Sequence, residues 1–384
     1  MMIAIAAHEE EFLQQVRAFC RHQLQPKARE LDRDSRFPKE LLPEMRTCGL
    51  FGSSYDPQYG GRGYSFLTAY AVLTLLAKAS AGVALTLIVQ WMAVDVLRQF
   101  GTEQQKQTYL PGLIRGEKIA TYTISEVQAG SDAAAITTTA TARDGGWQLD
   151  GAKFFATNGG LAEVYIIAAK TAPELGAKGI SLFLVEKGTP GFTVGPSEEK
   201  LGCRSSRTTA LHFDHCLIRD DQRIGPVNGG FKIAMYGLVS GRLGMAAMGL
   251  GIAEAALQDA VSYANTRVVF GKPLVSLFAI QEKIADMYVQ IQAAEHMVRA
   301  AAEKRDTQAE YSLEASTAKL FVSRVITDIC HQALQIYGGH GYMKYNDVER
   351  YARDARLLDI GVGASEVLKM VVGMTIAKDI RTTT

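Results

Sequence analysis

At 384 residues the chain is long enough for two or three domains around a large buried core. Hydrophobic residues make up 47% and charged residues 21%, the balance of a globular enzyme. The formal net charge of +1 gives no footprint for nucleic acid or an acidic membrane surface. The five cysteines (Cys20, Cys48, Cys203, Cys216, Cys330) are scattered without a CxxC pair, which reads as reduced thiols and a cytoplasmic setting. Glu9, Glu10 and Glu11 near the start argue against an export signal. The longest apolar stretch, Val83 to Val94, contains Gln90 and is too short for a membrane span.

Residues 8 to 120 read as helical. Phe12, Val16, Phe19 and Leu24 recur at the spacing of one helix face, and Pro26 interrupts it. Phe37-Pro38 opens a second helix with Leu41, Leu42 and Met45 inward and Gly49 as its stop. Alanine-rich helices run from Ser65 to Phe100, and Thr102 to Gln105 has the form of an N-cap and first turn. From Ala120 to Ile224 the segments are short, rich in Thr, Val, Ile and Phe, and punctuated by turns such as Asp144-Gly145-Gly146, as in a small antiparallel β domain. Long amphipathic helices return over roughly 231–265, 278–305, 311–337 and 364–380 and suggest a helix bundle. The expected fold class is therefore α+β. An N-terminal helical domain (1–120) precedes a middle antiparallel β domain (121–228) and a C-terminal four-helix bundle (229–384).

Near the C-terminus, Tyr351 to Met370 reads as a helix end, a glycine-broken loop and a new helix start. Gly361 and Gly363 bracket Val362 and let the backbone approach a ligand closely. Ala364, Ser365 and Glu366 follow, at a helix N-terminus that can hold an anion. This stretch resembles the C-terminal signature of the acyl-CoA dehydrogenase family, and the three-part architecture is that family's as well. The resemblance covers essentially the whole chain. In the family the residue between the two small loop positions is usually a glutamate, the base that removes the substrate α-proton. Here it is Val362. Gly241, in Ser240-Gly241-Arg242, matches a second position from which some members supply that base, so both base positions are empty. Arg242 matches an arginine that the family places behind the reactive centre.

Three further motifs carry the resemblance and imply FAD. Tyr122 to Asp132 (YTISEVQAGSD) resembles the middle-domain signature, with Tyr122, Ile124 and Ser125 toward the flavin and Gly130 and Ser131 near phosphate and substrate. Val127 and Gln128 depart from the usual Pro-Gly. Lys153 to Gly160 (KFFATNGG) resembles the second flavin motif, with Phe155 against the ring and Thr157 near its N5. Arg267 to Pro273 (RVVFGKP) and Gln335 to Gly341 (QIYGGHG) resemble the parts that reach the flavin of a neighbouring subunit, through Arg267, Phe270, Gln335 and Gly339, with Ala364 and Glu366 on the cofactor side. Phe278 stands where a glutamine is common. Motifs acting across subunits imply a homotetramer, a dimer of dimers.

On the substrate side, Lys200 to Thr208 resembles the loop that touches the adenosine-phosphate end of coenzyme A, through Arg204, Ser206 and Arg207. Ala84, Ile88, Trp91 and Asp95 share one helix face by spacing. By resemblance the first three line the acyl pocket, with Ser131, Arg242 and Gly363 nearby. Asp95, one turn deeper, is the alternative base by pattern, against a local ion pair with Arg98. Asp359 and Glu366 are further acids near Val362. No metal is expected: His212 and His215 of an HxxHC run fall on opposite faces of a strand. Gly249-Leu-Gly251 is not a dinucleotide loop, because Glu254 replaces the third glycine and a helical pattern precedes it.

The expected function is FAD-dependent oxidation at the CH–CH bond of a short or compact acyl thioester with atypical proton abstraction. An electron-transfer flavoprotein would be the acceptor. The alternatives are an enzyme acting on a substrate tethered to an acyl carrier protein, and a noncatalytic flavin-binding relative. Nucleic acid and a membrane span are not expected.

Overall fold

The computed structural model describes residues 5–307 and 309–383; residues 1–4 and 384, which fall within the first and last expected domains, lie outside the described residues. The first six helices are α1 (Ala7–Phe19), α2 (Ala28–Arg33), α3 (Leu42–Thr47), α4 (Phe66–Ala79), α5 (Ala81–Phe100) and α6 (Glu103–Ile114). Eight strands follow: β1 (Ala120–Thr123), β2 (Thr139–Arg143), β3 (Gly146–Thr157), β4 (Val164–Lys170), β5 (Ile180–Glu186), β6 (Phe192–Ser197), β7 (Thr208–Arg219) and β8 (Arg223–Ile224). The last part holds α7 (Gly230–Thr266), a small ribbon of β9 (Val268–Val269) and β10 (Lys272–Pro273), α8 (Phe278–Asp306), α9 (Ser312–Tyr337), α10 (Asp347–Ala355) and α11 (Ser365–Thr383).

Local chemistry sets the helix starts. Thr102 accepts from the Gln105 N–H while the Gln105 side chain accepts from the Thr102 N–H, the reciprocal cap expected of that stretch. The α4 N-terminus is capped by Ser65, and two carboxylates from distant elements saturate its remaining donors. Glu9 accepts from the Ser65 N–H at 2.8 Å, and Asp306 from the Phe66 N–H at 2.6 Å. Gly49, at φ +71°, ends the turn after α3.

The sheet runs in the order β6-β7-β3-β2-β4-β5-β8, with β1 beside β4. Most of its pairs are antiparallel, but β1 and β4 run parallel, as do β2 and β4 at their single shared position. The sheet is thus mixed, where the sequence suggests an antiparallel one. The parallel pair joins strands separated by two others in the chain, an ordering that turn signals do not encode.

Two helices, α5 and α7, are long and apolar enough to cross a membrane, but most of each is buried in this fold. Glycines let them approach. A Cβ on Gly244, Gly241 or Gly237 of α7 would meet Ile88 at 3.0 Å, Met92 at 2.7 Å or Val96 at 2.9 Å, all on α5. Gly249 and Gly251 serve the same purpose on other faces. Their added Cβ atoms would lie 2.2 Å from Leu358 and 2.2 Å from the Thr74 carbonyl. All five cysteines are free thiols.

Candidate functional site

The loop between α10 and α11 projects Val362 at the seam of α5 and α7. Val362 has φ +55°, a left-handed conformation rare for a β-branched residue. A Cβ placed on Gly241 would lie 2.7 Å from Met92 Sδ and 2.8 Å from Val362 Cγ1. The two positions at which the family resemblance implies a base therefore face each other, and a methionine side chain completes an apolar cluster with them. Arg242 lies beside this cluster with Nη1 donating to Ser316 Oγ at 3.1 Å. Lys319 is fully buried and donates to the Gly363 carbonyl at 2.7 Å, which pins the loop to α9. Burial pulls the Lys319 ammonium down to about 8.

Asp95 lies elsewhere, between α4, α5 and α8. Both its oxygens accept from Arg305 Nη2 at 2.7 Å, and Tyr55 donates to it at 3.2 Å. Its ion pair is with Arg305 rather than with Arg98 as the local spacing suggests. Arg305 also stacks on the Phe66 ring, 3.6 Å from its centroid. A carboxylate held by a buried guanidinium and a phenol is part of a closed polar network, not an acid facing Val362. The acids nearer that residue are also turned aside. Asp359 accepts from Arg356 and from Ser365 Oγ, and Glu366 is exposed.

Trp91 is turned away from the α5–α7 seam: its indole N–H donates to the Phe51 carbonyl at 2.9 Å, toward the N-terminal helices. The α5 face against α7 is Ile88, Met92 and Val96 rather than Ile88, Trp91 and Asp95. Ala84 is buried on the same helix.

The loop after β1 is held by a second buried ion pair. Glu126 accepts from Lys153 Nζ at 2.7 Å, from the Thr137 N–H at 2.6 Å and from the Thr138 N–H at 3.0 Å. Burial alone would raise the Glu126 carboxyl, but Lys153 and these donors hold it down, to about 2. Burial lowers Lys153 to about 8. Ile124 is buried in this frame and its carbonyl accepts from Lys153 at 3.1 Å. Ser125 is half-buried, whereas Gly130 and Ser131 lie exposed at the loop tip. Tyr122 is buried with its hydroxyl on the Ala234 carbonyl at 2.6 Å, so its side chain braces the sheet against α7 instead of presenting a donor to a ligand.

Phe155 extends from β3 with φ +58° and is 66% exposed; Thr157, two residues on, is half-buried. At the surface of the bundle Phe270, at φ +49°, is 91% exposed, and Arg267, Gln335 and Gly339 are exposed as well. A Cβ on Gly130, Gly338 or Gly339 would meet nothing within 4 Å. Exposed aromatics in strained backbone, together with glycines that have open space around them, suit a planar, phosphate-bearing cofactor. In the 200–208 loop, Arg204 donates to Ser35 Oγ at 3.0 Å and to the Arg33 carbonyl at 3.3 Å. Ser206 is buried with its hydroxyl on the Cys203 carbonyl, and the Arg207 guanidinium lies over Gly160.

Family models of the acyl-CoA dehydrogenase N-terminal, middle and C-terminal domains match residues 6–117, 121–216 and 228–377. The chain belongs to the acyl-CoA dehydrogenase family. It is 41% identical to an acyl-CoA dehydrogenase of Bacillus subtilis (strain 168), over 93% of this chain and 94% of that one. Its fold superposes on butyryl-CoA dehydrogenase from Megasphaera elsdenii with a TM-score of 0.96 at 39% identity, over 98% of this chain and 100% of that one. It also superposes on the prolyl acyl carrier protein oxidase AnaB with a TM-score of 0.93 at 28% identity, over 97% and 100%. The protein is an oxidoreductase of this family, and its cofactor is FAD.

Met92, Ser316, Lys319 and Arg305 carry no family motif and escape a motif-based reading. Two of them leave a trace in the sequence. Lys319 falls on the buried α9 stripe of Ala315, Ala318, Val322 and Ile326, and Arg305 on the α8 stripe of Ala294, Val298 and Ala301. A long cation on an apolar stripe signals a buried partner.

Proposed function

We propose that this protein oxidises the CH–CH bond of a short or compact acyl thioester without a carboxylate at either usual base position. The observation that carries the reading is the apolar cluster of Val362, Gly241 and Met92. No side chain of that cluster can accept a proton, so the substrate α-proton would have to pass to a base outside it. A positioned base typically contributes ~10²–10⁴-fold, so ordinary α,β-dehydrogenation would be slow by that factor.

Phe155, Thr157, Ile124, Ser125, Gly130 and Ser131 would hold the flavin ring and its near phosphate. Arg267, Phe270, Gln335 and Gly339, with the α11 start at Ala364 and Glu366, would hold the remainder of a neighbouring subunit's FAD. FAD supplies hydride acceptance from the substrate β-carbon, and an electron-transfer flavoprotein would reoxidise it. The exposure of Phe270, of Phe278 (77%) and of Tyr342 (87%) supports a homotetramer in which these faces are covered. Arg204 and Arg207 would meet the phosphates of coenzyme A, while Ser206, buried with its hydroxyl on the Cys203 carbonyl, would hold the loop that carries them.

A second reading is a substrate tethered to an acyl carrier protein, and the likeness to AnaB over nearly the whole chain favours it. Both tethers present the same phosphopantetheine arm.

The test is anaerobic bleaching of the FAD-loaded protein by short, branched and cyclic CoA thioesters and by a carrier-tethered acyl group, with Val362→Glu alongside. A compact thioester is expected to bleach the parent. Straight-chain saturated thioesters are expected to bleach Val362→Glu faster by ~10²–10⁴-fold. Bleaching confined to Val362→Glu, with no thioester active on the parent, would overturn the reading and leave a noncatalytic flavin-binding relative.

A further inference from the structure

Two buried cations flank the loop that carries Val362, and among the described residues no carboxylate is hydrogen-bonded to either. Arg242 is only 7% exposed, its Nη1 is spent on the neutral Ser316 hydroxyl, and its Nε has no acceptor. A Cβ on Gly363 would lie 3.9 Å from that Nε, so the unpaired edge borders the loop next to Val362. Lys319 has one acceptor, the Gly363 carbonyl. Burial lowers the affinity of both groups for their protons. The neighbouring acids do not cover Arg242, because Asp359 is held by Arg356 and Ser365 and Glu366 is exposed. Leaving a charged donor buried and unpaired is costly, and an incoming anion would remove that cost.

We propose that Arg242, backed by Lys319, binds a carboxylate that the substrate carries on its acyl α-carbon, so that the favoured ligands are 2-carboxyacyl (malonyl-type) thioesters. This rests on the acyl-thioester reading above. It also gives a physical reason for Val362. A glutamate there would set a negative charge beside the incoming carboxylate and compete with it for Arg242. Valine leaves the cations to the ligand, while Val362, Met92 and Gly241 offer an apolar wall to the rest of the acyl group.

The decisive comparison is methylmalonyl-CoA against isobutyryl-CoA, which share a branched skeleton and differ by a carboxylate in place of one methyl. Calorimetric titration of the FAD-loaded protein is expected to give roughly 10- to 100-fold tighter binding of methylmalonyl-CoA, the worth of a charge-assisted hydrogen bond. The advantage should shrink with added salt and vanish in Arg242→Gln. Val362→Glu should reverse it. Isobutyryl-CoA binding as tightly as methylmalonyl-CoA, or more tightly, overturns the proposal and leaves the thioester reading standing. If neither binds, the proposal falls, and the acyl-thioester reading is decided separately by the bleaching panel above. Because the parent protein alone decides between the two ligands, a variant that fails to fold does not obscure the answer.

Discussion

Buried charge is handled in two ways in this molecule. In the scaffold two buried cations each meet a carboxylate: Arg305 meets Asp95, and Lys153 meets Glu126, with further donors filling the remaining oxygens. At the α10–α11 loop, Arg242 and Lys319 hydrogen-bond only to a hydroxyl and a carbonyl among the described residues, with Asp359 and Glu366 acting on Lys319 from further off. The cost of removing a charge from water is therefore met within the chain in the first region. In the second it is left for something the chain itself does not contain. The difference separates residues that hold the fold from residues arranged for a ligand, and it does so without reference to any motif.

The largest effect is expected where a closed pair is opened. Asp95→Asn leaves the Arg305 guanidinium buried beside a neutral amide, and should lower unfolding stability by about 3–5 kcal/mol. Denaturant titration checks this. The same variant would break the comparison if stability held while flavin bleaching disappeared, because Asp95 would then be the working acid and not a structural partner.

Acid titration sharpens the contrast from the other closed pair. The Glu126 carboxyl is lowered from 4.5 to about 2 in the folded protein, so its contribution is fully present above pH 4.5. It is lost as the pH falls from 4.5 toward 2, where the folded protein must also take up the proton. The loss is on the order of 3 kcal/mol. Lys153 stays protonated in both states over that range and adds no slope. Unfolding midpoints between pH 5 and 3 should therefore fall steeply in the parent. They should fall less steeply in Glu126→Gln, which is less stable throughout because Lys153 has lost its partner. Parallel slopes in the two proteins would mean that the pair is not formed.

The helices were legible because their signals are local. Thr102 and Gln105 cap α6, Gly49 stops the turn after α3, and the long bundle helices follow the 3.6-residue period. The mixed sheet was not, since the β1–β4 pairing joins segments about 40 residues apart. Helix faces were readable only to within a fraction of a turn. Residues 91 and 92 straddle the seam with α7, and tertiary packing turned Met92 into it and Trp91 out. Asp95 shows the same limit for charge. Arg98 is its neighbour along the chain, but its partner is 210 positions away. At the site itself, the motifs pointed to the loop at Val362 and to Arg242. The missing acceptor on Arg242 depends on how α7, α9 and the α10–α11 loop pack, which spacing does not report.

The smallest expected effect concerns the loop's own backbone. At φ +55° a valine is held in a conformation that costs an L-residue roughly 1–2 kcal/mol, and Lys319 at the next carbonyl helps to keep it there. Val362→Gly would relieve that strain. It would also give up the contacts of a half-buried isopropyl group and add about 0.5–1 kcal/mol of backbone entropy to the unfolded chain. The opposing terms should leave the net change in unfolding stability under about 1 kcal/mol. A loss well beyond 2 kcal/mol would mean that Val362 is chiefly a packing residue of the α5–α7 seam. The contrast between closed scaffold and open site would then have to be redrawn with the loop on the scaffold side. A near-zero change would place Val362 among residues kept at a backbone cost for what they present to a ligand, beside two cations that await one.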